Sequence, residues 1–500
     1  MINWLIAIFL LPLLVLLKDY YDEWRYDRKS AQSGCKIPLK RLNRPFGLTK
    51  TLAIYRAVRN FELDKSSVKN FHNPGAHTIR GSGLFSKVIF TIDPENIKTI
   101  LSTNFKDYSM GKRYEGLHPL LGDGIFTLSG ERWKHARAML RPQFNRDQVS
   151  QLDSLKKHSQ EFVDLCKRYA SEREVFDIQP SCYELTLDTA TEFLFGKSVN
   201  SLGKSNQEFS RSFNFCLDYM CLRLQLDKYC FLANSKEFQK HIKVCHDFVD
   251  QFVQMALKLT DHEKCHPGRF VFIEELTKET RDPVAIRDQA FNILLAGRDT
   301  TASLLNFCIY RLGTDRRVFN KLRQAVLDEF GTGTDKITFE SLKRCQYLHN
   351  FMNEVLRLNP VVPFNARYAD KDTILPRGGR PDESQPILVP KGTKVNYTIH
   401  VMQRNERYWG DTATKFYPER WDDQVPHTWD YLPFNGGPRM CLGQQFARTE
   451  IAYTIVRILQ NFREIHYYEK GPDPFADAPR IWLKLTASLA DGCNISLTPA

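Results

Sequence analysis

The stretch PFNGGPRMCLGQQFA (Pro433–Ala447) lies near the end of the 500-residue chain and joins a glycine-rich loop to a single cysteine. Gly436 and Gly437 precede Cys441, and an apolar, helix-like segment follows it. Glycine allows a backbone to approach a neighbouring group closely, and amides at a helix N-terminus stabilise an anionic sulfur. The stretch therefore raises the question of what one thiol does at this position.

Several roles for Cys441 are open at the level of sequence. A catalytic thiol would need a histidine base nearby in space, and a zinc site would need three more ligands at typical spacings. A buried structural cysteine needs no glycine-rich loop. A single thiolate ligand to a metal that brings its own other ligands fits better, and haem iron is such a metal. Arg439, two residues earlier, can meet a carboxylate of such a group.

The composition narrows the class of protein. Twelve cysteines occur without a CxxC pair, which argues against a compact disulfide framework and indicates a reducing, cytosol-facing compartment. The 70 Lys and Arg outnumber the 58 Asp and Glu. This excess is either ordinary surface charge or a basic face that binds an acidic partner or an anionic membrane. No basic block with interleaved aromatics occurs, so no nucleic-acid partner is expected. No linker or repeat divides residues 31–500, which predicts a single, mostly helical domain.

The N-terminus carries an apolar run, WLIAIFLLPLLVLL (Trp4–Leu17), with Lys18, Arg25, Arg28 and Lys29 after it. The run is short for a bilayer span, which needs about 17–25 residues. The positive residues predict a single-pass anchor, with residues 1–30 as anchor and juxtamembrane segment and the remaining chain in the cytosol. The alternative is an interfacial or buried helix.

The longest periodic segment predicts a helix of about 30 residues, roughly 45 Å long. Asp282 can cap it, Pro283 fits its first turn, and Gly313 can end it. Elsewhere, alternation from Thr78 to Thr91 predicts a hairpin, followed by a helix that begins at Asp93-Pro94.

The middle of the long helix contains AGRDTT. Gly297 costs about 1 kcal/mol relative to alanine in a helix interior, and an unpaired buried charge is expensive. One interpretation is a helix that opens at Gly297 and leaves a groove, where Asp299 and Thr300 could hand protons to a bound group. The alternative is a solvated face on which Arg298 pairs with a neighbour.

FNGGPRMCLG resembles the haem-binding motif of the cytochrome P-450 superfamily, F-x-x-G-x-R-x-C-x-G. It is filled at Phe434, Gly437, Arg439, Cys441 and Gly443. AGRDTT resembles that family's oxygen-activating motif, EVLR its E-x-x-R, FYPERW its meander motif and WKHAR its W-x-x-x-R. The motifs follow the family's order over essentially the whole chain.

The resemblance implies a cytochrome P-450 fold, mainly α with small β-sheets, preceded by one transmembrane helix. It implies haem b (iron protoporphyrin IX) with Cys441 as the iron ligand, and Asp299 and Thr300 as the catalytic pair that delivers protons. The other cofactor contacts implied by family position are Trp133, Arg137, Arg367 and Arg439. Glu354, Arg357 and Arg420 would form a structural lock.

The implied activity is monooxygenation at the endoplasmic reticulum membrane, with electrons from an NADPH–cytochrome reductase, a flavoprotein. AGRDTTA, LPRGG and FNGGPRMCLGQQFA together resemble the fungal branch that hydroxylates n-alkanes and fatty acids at or near the chain end. Family position suggests Val361, Val362, Phe364 and the segment around Leu485 to Leu489 as apolar pocket walls.

Three alternatives to this function stay open. Related enzymes tailor polyketides and other fungal secondary metabolites. A haem-thiolate isomerase or dehydratase would need neither reductase nor dioxygen, and a haem sensor would need no catalysis. The intact Asp299–Thr300 pair argues against the last two.

Overall fold

The computed structural model describes residues 17–18, 20–40, 56–57, 59–72, 75–83, 86–145, 152–172, 174–203, 207–259, 270–423, 429–469 and 479–500. These residues belong to two compact units, each assembled from segments far apart in sequence. The described parts of Met1–Ser109, Phe364–Tyr408 and His427–Met440 form the first unit, and those of Met110–Pro363, Trp409–Pro426 and Cys441–Ala500 form the second. The single domain expected over residues 31–500 stays a prediction.

Most of the predicted anchor, Trp4–Leu17, lies outside the described residues. A search of the described part of the chain finds no helix with the length and apolar character needed to cross a membrane.

The first unit contains the larger β-structure. Its strands are β1 (Leu39–Lys40), β2 (Thr78–Gly83), β3 (Ser86–Thr91), β4 (Tyr108–Ser109), β6 (Phe364–Ala369), β7 (Thr373–Gly379), β8 (Gln385–Val389) and β9 (Lys394–Thr398). Six of them form a sheet with the order β1-β2-β3-β9-β6-β4, and a separate hairpin pairs β7 with β8. β2 and β3 pair antiparallel from Thr78↔Thr91 to Gly83↔Ser86, which confirms the predicted hairpin.

Short helices flank this sheet. The helix Pro94–Lys98 begins after Asp93, whose carboxylate accepts the amides of Glu95 and Asn96, as its sequence predicts. The other helical bounds of the first unit are residues 20–32, Leu63–His72, Thr99–Thr103 (a π turn), Phe105–Asp107, Ile399–Met402 and Gly437–Arg439. Buried aliphatic and aromatic side chains from the sheet and these helices form the core of the unit, including Ile92, Ile97, Val395 and Tyr397.

The second unit is mainly helical. Its α-helices are Arg113–Leu121, Gly130–Leu140, Asp153–Glu172, Gln179–Phe195, Gln207–Leu226, Lys236–Leu257, Phe272–Glu279, Pro283–Thr314, Arg316–Phe330, Phe339–Arg344, Gln346–Leu358, Arg420–Asp423 and Gln444–Asn461. Short 3-10 turns cover Arg141–Phe144, Asp227–Leu232 and Gly410–Thr412. The helices enclose a core rich in phenylalanine and leucine, to which Phe213, Phe291 and Leu294 contribute fully buried side chains.

Two small sheets complete the second unit. β10 (Phe462–Tyr467), β13 (Asn494–Pro499) and β5 (Phe176–Asp177) form one, with β13 in the centre. β11 (Ile481–Leu483) pairs antiparallel with β12 (Ala487–Leu489), and we call this pair and its turn the C-terminal hairpin. The described residues are thus mainly helical with small sheets, as predicted.

The helix Pro283–Thr314, the long helix from here on, has 32 residues and begins after Asp282, whose side chain accepts the amide of Val284. It ends at Thr314, one residue beyond the predicted end at Gly313, and its length agrees with the predicted length of about 30 residues. A Cβ at Gly313 would lie 3.0 Å from the Cβ and the amide of Tyr467 on β10. Gly313 therefore serves close helix–strand packing.

The expected opening at Gly297 is wrong. The long helix is continuous through this residue, and a Cβ there would meet the Cβ of Ala190 at an ordinary contact distance of 3.8 Å. The Thr300 hydroxyl donates to the Ala296 carbonyl at 2.6 Å, a back-bond that a helical turn accommodates without breaking.

Candidate functional site

In the first unit, the loop before the cysteine is closed to side chains at both glycines. Gly437 has a φ of +67°, and a Cβ there would lie 1.9 Å from the carbonyl oxygen of Leu101. A Cβ at Gly436 would lie 2.7 Å from the Trp429 ring. Both positions therefore require glycine because a side chain would clash with neighbouring protein atoms. This reason is separate from the close approach of the backbone to a bound group that the sequence predicted.

In the second unit, Cys441 precedes the helix Gln444–Asn461 by three residues. Its side chain is exposed, yet desolvation by the surrounding protein raises the pKa of the thiol. A hydrogen bond from the Gly443 backbone and the charge of Arg137 oppose that rise. The thiol is thus open to a ligand on one side, and the groups beside it favour the thiolate.

These surroundings bear on the roles left open for Cys441. Among the described residues, no three His, Cys, Asp or Glu side chains form a group that could hold a metal ion, so zinc lacks its protein ligands. A thiolate ligand to a metal that brings its other ligands agrees with the exposed sulfur, and this role of Cys441 stays a prediction.

The helix Gly130–Leu140 places Trp133 and Arg137 on one face, four residues apart. Trp133 is buried, and the Arg137 guanidinium carbon lies 5.8 Å from the centre of its ring. Desolvation lowers the pKa of Arg137, while the charge of Cys441 opposes this. A partly desolvated guanidinium next to the thiol can hold an anionic ligand group.

In the first unit, Arg367 is buried, and its Nη1 donates to the side-chain oxygen of Asn365 at 3.0 Å and the carbonyl of Ala366 at 2.7 Å. Its Nε–H has no hydrogen-bond partner among the described residues. The Arg439 guanidinium carbon lies 6.0 Å from the centre of the Phe105 ring. A buried guanidinium with an unused donor fits a carboxylate-bearing cofactor such as haem.

The predicted catalytic pair lies on the long helix of the second unit. Asp299 is buried, and its carboxylate accepts from Arg298 Nη1 at 2.7 Å. Burial raises the pKa of Asp299, and the Arg298 charge opposes this rise. The neighbouring Thr300 is half-buried. Because Arg298 is buried as well, the alternative of a solvated face is wrong, although Arg298 does pair with a neighbour.

The predicted Glu354–Arg357–Arg420 lock is present and fully buried. Arg357 donates to Glu354 through Nε at 2.9 Å and through Nη2 at 2.8 Å, and Arg420 Nε donates at 3.1 Å. Two further donors were not predicted: the Tyr417 amide at 2.9 Å and Trp421 Nε1 at 3.0 Å. Both residues belong to the motif FYPERW, which also contains Arg420. The same motif could therefore have indicated them.

Other residues near Asp299 gave no signal in sequence. Tyr183, Asp218 and Lys484 line the same pocket as its carboxylate, although the chain brings them from three distant segments. Only the fold reveals this neighbourhood.

Comparison with known proteins agrees with this geometry. The family model described as Cytochrome P-450 matches residues 62–485. Cytochrome P-450 52-E3 of Starmerella bombicola is 44% identical over 490 residues, which cover 94% of this chain and 94% of the relative. Cytochrome P-450 52-M1 of the same organism is 42% identical, covering 97% and 95%. Cytochrome P-450 52A4 of Candida maltosa is 45% identical, covering 82% and 79%.

The family match covers the loop before Cys441, the long helix and the Glu354–Arg357–Arg420 lock. The similarity to the three relatives confirms the fungal branch predicted from the motifs. This chain belongs to the cytochrome P-450 family and is a haem-thiolate monooxygenase.

Proposed function

We propose that this monooxygenase hydroxylates a fatty acid or an n-alkane at or near the end of its chain. The observation that carries the proposal is the similarity to the P-450 52 relatives over 94% of the chain, together with the motifs of that fungal branch. Of these motifs, AGRDTTA contains the proposed catalytic pair Asp299 and Thr300, and FNGGPRMCLGQQFA contains the proposed iron ligand Cys441.

In the second unit, Val361, the C-terminal hairpin and the long helix are joined by hydrogen bonds. The Ala487 amide of the C-terminal hairpin donates to the Val361 carbonyl at 2.9 Å, and the Ser303 hydroxyl of the long helix donates to the Ala487 carbonyl at 2.5 Å. Val361 is buried and Val362 half-buried. An apolar wall fixed to the long helix near Thr300 suits an alkyl chain. Phe364, in the first unit, stays a proposed wall residue.

The proposed haem contacts are one thiolate ligand and four side chains that would bind the propionates. Cys441 would supply the thiolate ligand, and its exposed sulfur supports this role. Trp133, Arg137, Arg367 and Arg439 would bind the propionates, as family position suggests. The unused buried Nε–H of Arg367 supports its share in that role. When bound, the haem supplies the activation of dioxygen.

The roles proposed for Asp299 and Thr300 concern protons. The Thr300 Oγ1 would hold a proton, and the Asp299 carboxyl would replace that proton once it is used. The raised pKa of Asp299 supports a carboxyl that takes up a proton more readily than an exposed aspartate does.

We further propose an NADPH–cytochrome reductase as electron donor and a single-pass location in the endoplasmic reticulum membrane, with the catalytic part in the cytosol. The apolar run Trp4–Leu17 and the basic residues after it support this topology. Deletion of residues 1–17 should release much of the protein from microsomes while haem binding persists. Protection of the catalytic part from protease added outside sealed microsomes would contradict the orientation.

The substrate is tested by titrating fatty acids and n-alkanes of ten to eighteen carbons into the ferric enzyme. Binding should tighten with chain length, because each buried methylene contributes about 0.8 kcal/mol, and the haem should shift from low to high spin. Product analysis should find oxygen at or near the terminal carbon. If only a polyketide extract shifts the spin state, the fatty-chain proposal fails and secondary-metabolite tailoring replaces it.

A matched pair of variants tests the wall. Val362→Ala should move hydroxylation inward along the chain, because the alkyl end gains room. Val326→Ala removes the same atoms from a fully buried position on the helix Arg316–Phe330 and should leave the product ratio unchanged. Equal product ratios in the two variants would remove Val362 from the pocket.

The iron ligand is tested by Cys441→His. This variant should lose the carbon monoxide difference band near 450 nm that a haem-thiolate protein gives. Retention of that band together with full activity would overturn the assignment of Cys441.

A further inference from the structure

A buried group of polar side chains lies where three helices of the second unit meet, namely Asp153–Glu172, Gln179–Phe195 and Gln444–Asn461. We call this group the three-helix cluster; its members, all of them buried, are His158, Ser159, Thr189, Glu192, Glu450 and Thr454. Neither the proposed catalysis nor the structural lock uses any of these side chains. Buried titratable groups are costly to keep, so the cluster calls for a role of its own.

Hydrogen bonds through the cluster fix the position of Glu450. The Thr189 hydroxyl donates to the Glu450 carboxylate at 2.5 Å. The Thr454 hydroxyl donates to the Glu450 carbonyl at 2.9 Å, and it lies 3.3 Å from the Ser159 hydroxyl. Glu450 is therefore held between all three helices.

His158 is the cationic member of the cluster. Its Nδ1 lies 2.8 Å from Glu161 Oε2, and a hydrogen bond joins its Nε2 to Glu192. Burial lowers the pKa of His158, but the hydrogen bonds to Glu192 and Glu161 outweigh burial and raise it overall. Lys157 adds a second positive charge, 3.6 Å from Glu192. These partners favour the charged form of His158.

Glu450 has no ion pair in the part of the chain that the structure describes. Thr189 supplies its hydrogen bond, and His158 is the one described charge that acts on it. The other elements packed against its helix, which include the long helix, Arg316–Phe330 and Phe339–Arg344, contribute no described charge that acts on it. Burial raises the pKa of Glu450 to about 7, against the hydrogen bond from Thr189 and the charge of His158. This carboxyl can therefore exchange a proton near neutral pH.

The same helix connects Glu450 with Cys441. The helix begins at Gln444, three residues after Cys441, and Glu450 lies in its second turn, about 9 Å along the axis from Gln444. At an effective dielectric constant of about 20, a unit negative charge roughly 10–15 Å away raises the pKa of a carboxyl by about one unit. A charge added at a metal on Cys441 should therefore tighten the binding of a proton to Glu450 by about tenfold.

We propose that Glu450 is a redox-linked proton site, whose carboxylate takes up one proton from solvent when the iron bound by Cys441 gains an electron. The inference rests on the proposed role of Cys441 as the iron ligand. The electron comes from the proposed reductase, the proton comes from water, and the product on this side chain is the neutral carboxylic acid. When the electron leaves, the proton returns to solvent. Because this proton stays on Glu450 and is not passed to a reacting group, the site is separate from Asp299 and Thr300.

The site is tested by redox titration of the full-length, haem-loaded enzyme between pH 5 and pH 9. The wild-type midpoint potential should fall as the pH rises, by about 59 mV in total, which is a tenfold change in proton affinity converted for one electron. Glu450→Gln is neutral at every pH and keeps an oxygen that can accept from Thr189. It should match the wild type at pH 5 and lie about 59 mV above it at pH 9. A difference between the two proteins that is absent, or constant with pH, would overturn the proposal.

Glu464→Gln is the matched control. Glu464 lies on β10, the strand that follows the same helix, and it pairs with Arg316 at a partly exposed position. The substitution removes the same charge outside the cluster, so its midpoint potential should follow the wild type at every pH. If Glu464→Gln shifts the potential as Glu450→Gln does, the effect belongs to net charge and the assignment of Glu450 is wrong.

Infrared difference spectra between the reduced and the oxidised enzyme locate the proton. At pH 7 the wild type should gain the carbonyl band of a protonated carboxyl on reduction, and Glu450→Gln should lack this band. A wild-type spectrum without the band would contradict proton uptake by Glu450. In His158→Gln the fall in potential should move to higher pH, because the charge that stabilises the Glu450 carboxylate is gone; an unchanged pH would remove His158 from the site.

The ligand and the proton site fail in different ways. If Cys441→His keeps the carbon monoxide difference band near 450 nm, the iron ligand itself is wrong. If that band is lost in Cys441→His while the wild-type potential is indifferent to Glu450→Gln, the redox-linked proton site alone is wrong.

Discussion

Two buried carboxylates of the second unit, Glu354 and Asp299, each lie beside an arginine, and their surroundings differ in the number of donors. Glu354 accepts five hydrogen bonds, from Arg357 Nε and Nη2, Arg420 Nε, the Tyr417 amide and Trp421 Nε1. Asp299 accepts from Arg298 Nη1, and it lines a pocket together with Tyr183, Asp218 and Lys484.

The difference separates a structural acid from one that can exchange a proton. A buried carboxylate with every lone pair used is strongly disturbed by protonation, since several donors would lose their acceptor. A buried carboxylate with one ionic partner can take up a proton at the loss of one bond. Asp299 is of the second kind, and its raised pKa agrees with this.

The largest effect is expected for Glu354→Gln. The neutral amide leaves the buried charges of Arg357 and Arg420 without their counter-ion, which costs about 3–5 kcal/mol. We expect little folded, haem-loaded protein, measured by the carbon monoxide difference band and by thermal unfolding. A Glu354→Gln protein with a normal haem content and unfolding midpoint would refute the structural role of the lock.

Asp299→Asn should instead leave the fold and the haem content intact and slow hydroxylation by about 100-fold, the lower range for loss of a general acid. Peroxide released per NADPH should rise. Asp288→Asn is the matched control: Asp288 is buried on the same helix and accepts the Asp123 amide at 2.8 Å. If both variants lose coupling equally, the effect belongs to the helix and not to Asp299.

Glu450 extends the comparison to an acid without an arginine partner. It is buried and accepts from the Thr189 hydroxyl at 2.5 Å, and burial raises its pKa to about 7, against the opposing hydrogen bond from Thr189 and the charge of His158. Because the folded-state pKa exceeds the unfolded one, near 4.3, its contribution to stability is complete below about pH 4 and is lost as the pH rises through 7.

Glu450→Gln should therefore gain thermal stability relative to the wild type as the pH increases from 5 to 8. The full difference amounts to about 3 kcal/mol. Unfolding midpoints of both proteins measured across that range check the prediction. Parallel midpoint curves would mean that Glu450 titrates at its ordinary pKa.

Sequence patterns predicted the features of this protein that depend on neighbours along the chain. Asp93 and Asp282 cap their helices because each stands directly before a proline that begins a helix. Glu354 and Arg357 meet because three residues separate them on one helix face. Cys441 could be recognised as a candidate ligand because Gly436 and Gly437 stand in the loop before it.

Features that depend on residues distant in sequence could not be predicted. Gly313 lies one residue before the end of its helix, close to the predicted end, but its close contact with Tyr467 on another element had no signal in sequence. The opening inferred at Gly297 ignored that a threonine hydroxyl can bond the preceding turn without breaking it. The pocket around Asp299 depends on the C-terminal hairpin, nearly two hundred residues further on, and no local pattern signals it.

The smallest effect is expected for Thr301→Val, which separates two adjacent hydroxyls. Thr301 is buried, and its Oγ1 has no hydrogen-bond partner among the described residues, whereas the half-buried Thr300 hydroxyl is bonded to Ala296. Replacing an unpaired buried hydroxyl by a methyl of the same shape is nearly neutral or slightly stabilising. The unfolding midpoint should therefore stay constant or rise slightly, and peroxide release per NADPH should match the wild type. Thr300→Ala, measured alongside, should uncouple the enzyme. If Thr301→Val uncouples it instead, the proton passes through Thr301, and the proposed catalytic pair becomes Asp299 and Thr301.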